Sequence, residues 1–154
     1  MAYWLMKSEP DEVSIDDVMA APGQTVAWFG VRNYQARNFM RDAMRVGDGV
    51  LFYHSSCAEP GVAGVAEVAS AAYPDASQFE AGGKYHDPKA TPQEPRWVGV
   101  DVRGERKTAL LPLAVLRTMA GLEEMPLLQK GSRLSISPVT AAQWTIILAA
   151  LQAP

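Results

Sequence analysis

The strongest constraint on the fold is the rhythm of the apolar residues. They come in short β-prone runs separated by equally short helical signals. Tyr3–Lys7, Thr25–Trp28, Val50–His54, Gly61–Ala72, Arg96–Val102 and Leu134–Ser137 read as strands, the last ending at Pro138. Ser14 with Asp17 forms a capping-box pattern ahead of a helix over Ile15–Ala20, and Pro22-Gly23 closes it. Asn33–Ala43 and Leu113–Met119 read as two more helices. A second capping box, Thr140 with Gln143, opens a last one whose Trp144, Ile147, Leu148 and Leu151 share a face. Five or six strands with short helices that do not alternate regularly exclude a doubly wound sheet and predict an α+β domain. No GxGxxG or phosphate-loop pattern occurs.

The chain has 154 residues, 48% of them hydrophobic. That is enough for one domain over residues 1–154 that buries roughly 70% of its unfolded surface. Cys57 is the only cysteine, so no disulfide forms within the chain and a cytoplasmic setting is expected. No run approaches the ~20 apolar residues of a membrane span, and Met1–Lys7 lacks the pattern of a signal peptide, so no membrane partner is expected. Tyr73–Pro95 carries prolines, adjacent glycines and mixed charge, and reads as a long loop of functional or mobile character.

The net charge of −3 argues against a non-specific nucleic-acid coat. Locally the picture differs. Met1–Val31 holds five acids and one lysine, whereas Arg32–Arg45 holds four arginines and one acid. Arginine outnumbers lysine nine to five, which suits bidentate phosphate contacts.

Several candidate chemistries are weak. In His54-Ser55-Ser56-Cys57 adjacent strand residues point to opposite faces, so a nucleophile–base pair does not form easily. His54, Cys57, His86 and Asp87 match no zinc spacing, and neither metal nor cofactor is expected. Asp16-Asp17 and Glu123-Glu124 read as solvated surface. The informative stretch is Trp28-Phe29-Gly30-Val31-Arg32-Asn33-Tyr34-Gln35. It joins a flat aromatic face that a base can stack on to amide side chains suited to a base edge. The alternative is a core tryptophan followed by a capped helix.

Tyr3–Pro10, the Trp28–Phe39 stretch, Val46-Gly47-Asp48, Leu51–Ser55, Gly64–Val68, Pro95-Arg96-Trp97, Met125–Leu128 and Gly131–Ser135 resemble the EVE domain, in order and over essentially the whole chain. The resemblance implies a PUA-like fold: a curved mixed β-barrel or sheet with helices around it, similar to the YTH domain. It implies a module that holds a modified base of DNA or RNA, such as a modified cytosine, and a monomer is expected. Carried over, Lys7 and Ser8 form one wall, and Trp28 stacks on the base. Gly30, Val31, Arg32 and Asn33 lie along its edge. Tyr53, His54, Ser55 and Ser135 complete the pocket, and Arg32, Arg37 and Arg133 hold phosphates. Tyr85 falls in the long loop that would lid the pocket, where the sequence departs from the family pattern, and it is given no role. No catalytic residue is assigned. The rival expectation is an enzyme acting on a nucleotide in the same pocket, with His54 as acid/base.

Overall fold

Strands β1 (Tyr3–Ser8) and β3 (Gly49–His54) lie side by side and parallel, Tyr3 opposite Gly49 and Ser8 opposite His54. Around them the computed structural model, which describes residues 1–152, builds a mixed sheet. The remaining strands are β2 (Thr25–Trp28), β4 (Gly61–Val68), β5 (Tyr73–Pro74), β6 (Val98–Pro112) and β7 (Ile136–Val139). The helices are α1 (Ile15–Ala20), α2 (Tyr34–Asn38), α3 (Leu113–Leu116) and α4 (Ala141–Gln152). Strand order is β2-β6-β4-β3-β1-β7, with β5 beside β6, and every pair except β1·β3 is antiparallel. The expected α+β class holds. The sheet curves but does not close into a barrel, since β2 and β7 stand at opposite edges. Register shifts in β3·β4 and β4·β6 supply local bends.

The pleat divides the core between the two faces. Trp4, Met6, Val50 and Phe52 point to one side, with Ile15 and Val18 of α1, Ala36 of α2, and Met40. Leu5, Leu51 and Tyr53 point to the other, with Leu116 of α3 and Ile147 and Leu151 of α4. β3 is buried on both faces, which is why it reads as an unbroken apolar run. Gly64 is a close approach: a Cβ there would lie 2.7 Å from the Arg106 carbonyl oxygen and from Ile15. Its absence lets α1 settle on the sheet.

Both capping boxes form, Asp17 N–H donating to Ser14 Oγ at 3.1 Å and Gln143 N–H to Thr140 Oγ1 at 3.1 Å. Five elements differ in extent from expectation. β6 continues ten residues past Val102, because Arg103, Glu105 and Lys107 alternate outward and hide the apolar signal. β7 runs through Pro138, which is tolerated because β7 is an edge strand. The Asn33–Ala43 helix is α-helical only to Asn38 and then widens into a π turn over Phe39–Ala43. β4 stops at Val68 and α3 at Leu116. Among the described residues no helix is long and apolar enough to cross a membrane.

Asp48 ties the start of β1 to the start of β3. It is 3% exposed and accepts from Ala2 N–H at 3.2 Å, Trp4 Nε1 at 3.0 Å and Arg45 N–H at 2.9 Å. Asp48→Ala strands these donors, and a loss of about 2–4 kcal/mol is expected. Urea unfolding should show a lower midpoint at unchanged slope; a midpoint equal to that of the parent protein would contradict this role for Asp48.

Candidate functional site

Because β1 and β3 are parallel neighbours, their C-terminal residues emerge at the same edge of the sheet. Ser55 N–H donates to Ser8 O at 2.9 Å, and Lys7 N–H donates to Ser135 O at 2.8 Å. With the end of β2 they enclose a cleft of about 480 Å3, a size common among small-ligand sites. The cleft is lined by Lys7, Ser8, Trp28, Gly30, Val31, Arg32, Asn33, Ser55 and Ser135, with Arg133 also on its wall.

Trp28 is 7% exposed and stands edge-on to Phe52, ring centroids 5.5 Å apart at 80°. It is both a core residue and a cleft wall. Asn33 caps α2, its Oδ1 accepting from Ala36 N–H at 3.0 Å, which leaves its amide NH2 to the cleft. Ser8 Oγ donates to Val13 O at 2.6 Å and keeps its lone pairs as acceptors. Lys7 is half-buried, and that burial lowers the pKa of its ammonium group. No carboxylate pairs with it among the described residues.

Four expected residues behave differently. Arg32 lines the cleft but has no donor left for a phosphate. Nε donates to Tyr85 O, Nη1 to Val31 O and Asp75 Oδ2, and Nη2 to Ser77 Oγ and Tyr85 O, at 2.7–3.1 Å, using all five N–H groups. Arg37 lies off the cleft, its Nη1 on Arg96 O at 3.0 Å and its guanidinium over the Tyr34 ring. Tyr53 faces the opposite side of the sheet from Trp28 and opens on a different cavity. His54 turns toward α1, where its Nε2 accepts the Ile15 N–H at 3.1 Å. Burial lowers the His54 pKa, with Lys107 adding to the effect and Asp16 opposing it. The imidazole lone pair is thus committed to the helix N-terminus, and the acid/base role expected of His54 has no support in the geometry.

The long stretch after β5 is ordered by buried polar groups. Gln78 is fully buried and satisfied: its Nε2 donates to Asp75 O and Trp97 O, and its Oε1 accepts from Arg96 and Trp97 N–H. The Asp75 side chain is 1% exposed and accepts from Gly30 N–H at 2.8 Å, Ser77 N–H at 2.8 Å and Arg32 at 3.1 Å. Burial pushes its pKa up, but the bonds from Ser77, Gly30 and Arg32 outweigh burial and hold it below the ordinary value. Tyr85 lies across the cleft wall against Gly30, whose φ is +80° and where a Cβ would sit 2.7 Å from the ring. Its hydroxyl donates to the Glu12 carboxylate at 2.6 Å, and Lys84 pairs with the same carboxylate. The loop therefore straps the rim through Tyr85 and Glu12. Glu12, Phe29 and Ser56 also line the cleft, and sequence reasoning misses them. Only the glycine at position 30 signals that a ring packs there.

An EVE domain model matches residues 2–150. The chain belongs to the EVE domain family. Human thymocyte nuclear protein 1 is 42% identical over 96% of this chain and 72% of its own length. A crystal structure of a Pseudomonas putida protein superposes with a TM-score of 0.91 at 53% identity, covering 96% of this chain and 98% of the other. A crystal structure of the human THYN1 protein in complex with 5-methylcytosine-containing DNA superposes at 0.89 with 40% identity, covering 100% of this chain and 99% of the other. The cytoplasmic expectation is corrected by the relatives, which are named as nuclear proteins. A single cysteine excludes a disulfide within the chain and says nothing about which compartment holds it.

The EVE fold here depends on Asp75 ionisation, with a definite sign. A carboxylate whose folded-state pKa is depressed stabilises fully above its unfolded value of ~3.9, and that contribution is lost as pH falls through the lowered folded value. Asp75→Asn should cost about 3 kcal/mol at neutral pH. The gap from the parent should shrink on acidification below about pH 4. Chemical unfolding across pH 2–7 measures it (a range bracketing the ~3.9 reference value); a gap that does not vary with pH would exclude this role.

Proposed function

We propose that the protein binds DNA and reads 5-methylcytosine, seating the methylated base in the cleft beside Trp28. What carries this reading is the cleft itself, in a chain that matches from end to end a relative solved in complex with 5-methylcytosine-containing DNA. The donors and acceptors suit a cytosine. Its Watson–Crick edge offers one amino donor and two acceptors. Asn33 has a free amide NH2 to give and Ser8 free lone pairs to receive. The indole of Trp28, with Val31 and Val13, supplies an apolar wall for the ring and its methyl group. A base inside a duplex cannot reach such a wall, so it is flipped out or presented single-stranded. Arg133 and Lys7, which pair with no carboxylate among the described residues, attract the strand.

Titration with labelled oligonucleotides tests this. Single strands and duplexes carrying 5-methylcytosine should bind more tightly than the same sequences with cytosine, and methylated RNA is the comparison strand. Trp28→Phe keeps most of the packing and should weaken methylated DNA binding with little change in fold. Loss of a stacking surface is worth ~1–3 kcal/mol. Arg133→Ala should weaken all strands alike and lower the salt slope by ~0.7–0.9. Equal affinity for methylated and plain cytosine would overturn the reading.

A further inference from the structure

A second cavity, also about 480 Å3, lies on the other side of Ser55 and Ser56 and shares those residues and Lys7 with the cleft. Its character is different. Lys7, Arg117 and Lys130 line it and no carboxylate does among the described residues. Among the described residues none of the three forms an ion pair, whereas Arg32, Arg41, Lys84, Arg103 and Lys107 each sit on an acid. Three cations facing one space without a counter-charge repel each other, and an anion relieves that.

Tyr53 supplies an independent sign. The residue is 2% exposed, it lines this cavity, and its hydroxyl meets no hydrogen-bonding partner among the described residues. The hydroxyl is not sealed in, since Thr108 Oγ1 is the one enclosed side-chain polar atom without a partner among the described residues, so it is open to donate to an acceptor in the cavity. Burial raises its pKa, which keeps it a donor at neutral pH. The ridge between the cavities is Ser56, held at φ +53°, a conformation uncommon for a serine. A strand whose base enters the cleft would cross this ridge at its next linkage.

We propose that the second cavity binds a backbone phosphate adjoining the base in the cleft, with Arg117, Lys130 and Tyr53 as its donors and Lys7 shared between the two sites. This rests on the reading of the cleft as a base site. It also gives the strand a direction, in which one of the two linkages flanking the base lies at Arg117.

The test uses short single-stranded DNA with one 5-methylcytosine, and the same strand with a neutral methylphosphonate linkage on either the 5′ or the 3′ side of that nucleotide. Arg117 and Lys130 are exposed, so Arg117→Ala/Lys130→Ala should unfold at the parental midpoint. The double variant should bind the natural strand about tenfold more weakly, and its salt slope should fall by ~0.7 for each phosphate that is no longer neutralised. Tyr53→Phe should show a smaller loss in the same direction. One of the two methylphosphonate strands should bind the parent as weakly as the natural strand binds the double variant, and should lose nothing further on the double variant. The preference for methylated over plain cytosine should survive Arg117→Ala/Lys130→Ala. If the parent shows no such preference while the slope still falls, the base reading fails and the phosphate site stands. An unchanged affinity and slope in the double variant overturns the phosphate site. So does inorganic phosphate shifting the Tyr53 ring signals while neither neutral linkage weakens binding, since the cavity would then take a free anion.

Discussion

The guanidinium of Arg32 holds the candidate site together. It bonds to its own loop at Val31 O and to the far strap at Asp75, Ser77 and Tyr85 O. Asp75 completes the link by accepting the Gly30 N–H. Buried ion pairs are weak contributors when their remaining valences are empty, because desolvation of both charges opposes their attraction. Here every guanidinium N–H has an acceptor and Asp75 accepts from three residues, so the pair fixes a geometry. Two segments more than 40 residues apart become one wall. Trp28 inherits its position from that wall, and so does the Tyr85–Glu12 strap across the rim.

The same residue marks the limit of sequence reasoning. A cluster of arginines looks alike whether its members await a phosphate or already satisfy a fold. Arg32 and Arg37 are spent inside the molecule, and the cations at the two cavities without an ion pair among the described residues are Lys7, Arg117, Lys130 and Arg133, which are scattered along the chain. Partner identity is a property of the tertiary structure, and charge counts along a window do not carry it. Gln78 shows the converse. Nothing in its neighbourhood predicts full burial, because its four hydrogen bonds go to Asp75, Arg96 and Trp97 across a stretch with no periodic pattern.

Much of the frame was legible where local chemistry decides it. Both capping boxes and the β1, β2 and β3 runs depend on neighbours within a few residues, and they form as expected. The missed half of β6 and the passage of β7 through Pro138 depend on which strands lie beside them, which periodicity does not encode. For Tyr53 and His54 the signal was available. Side chains alternate along a strand, so Tyr53 and His54 point to opposite faces of β3. His54 shares the Phe52 face and is drawn to the helix N-terminus, while Tyr53 shares the Leu51 face.

Position 53 therefore carries more than a correction. A strand buried on both faces separates two environments, and the cavities at its C-terminal end inherit that separation. On one side of the sheet the core tryptophan and the Asn33 amide give a surface that can recognise the ring and edge of a base. On the other, Tyr53 and the unpaired cations give a surface that recognises only charge. Affinity for any strand and discrimination of one base are physically different tasks, the first a matter of counter-ions and the second of contact and hydrogen bonding. The parallel β1·β3 pair brings both surfaces to one edge and joins them through Lys7, Ser55 and Ser56. A chain with a net charge of −3 can then bind an anionic polymer locally, since the potential that matters is that of the two cavities and not that of the whole molecule.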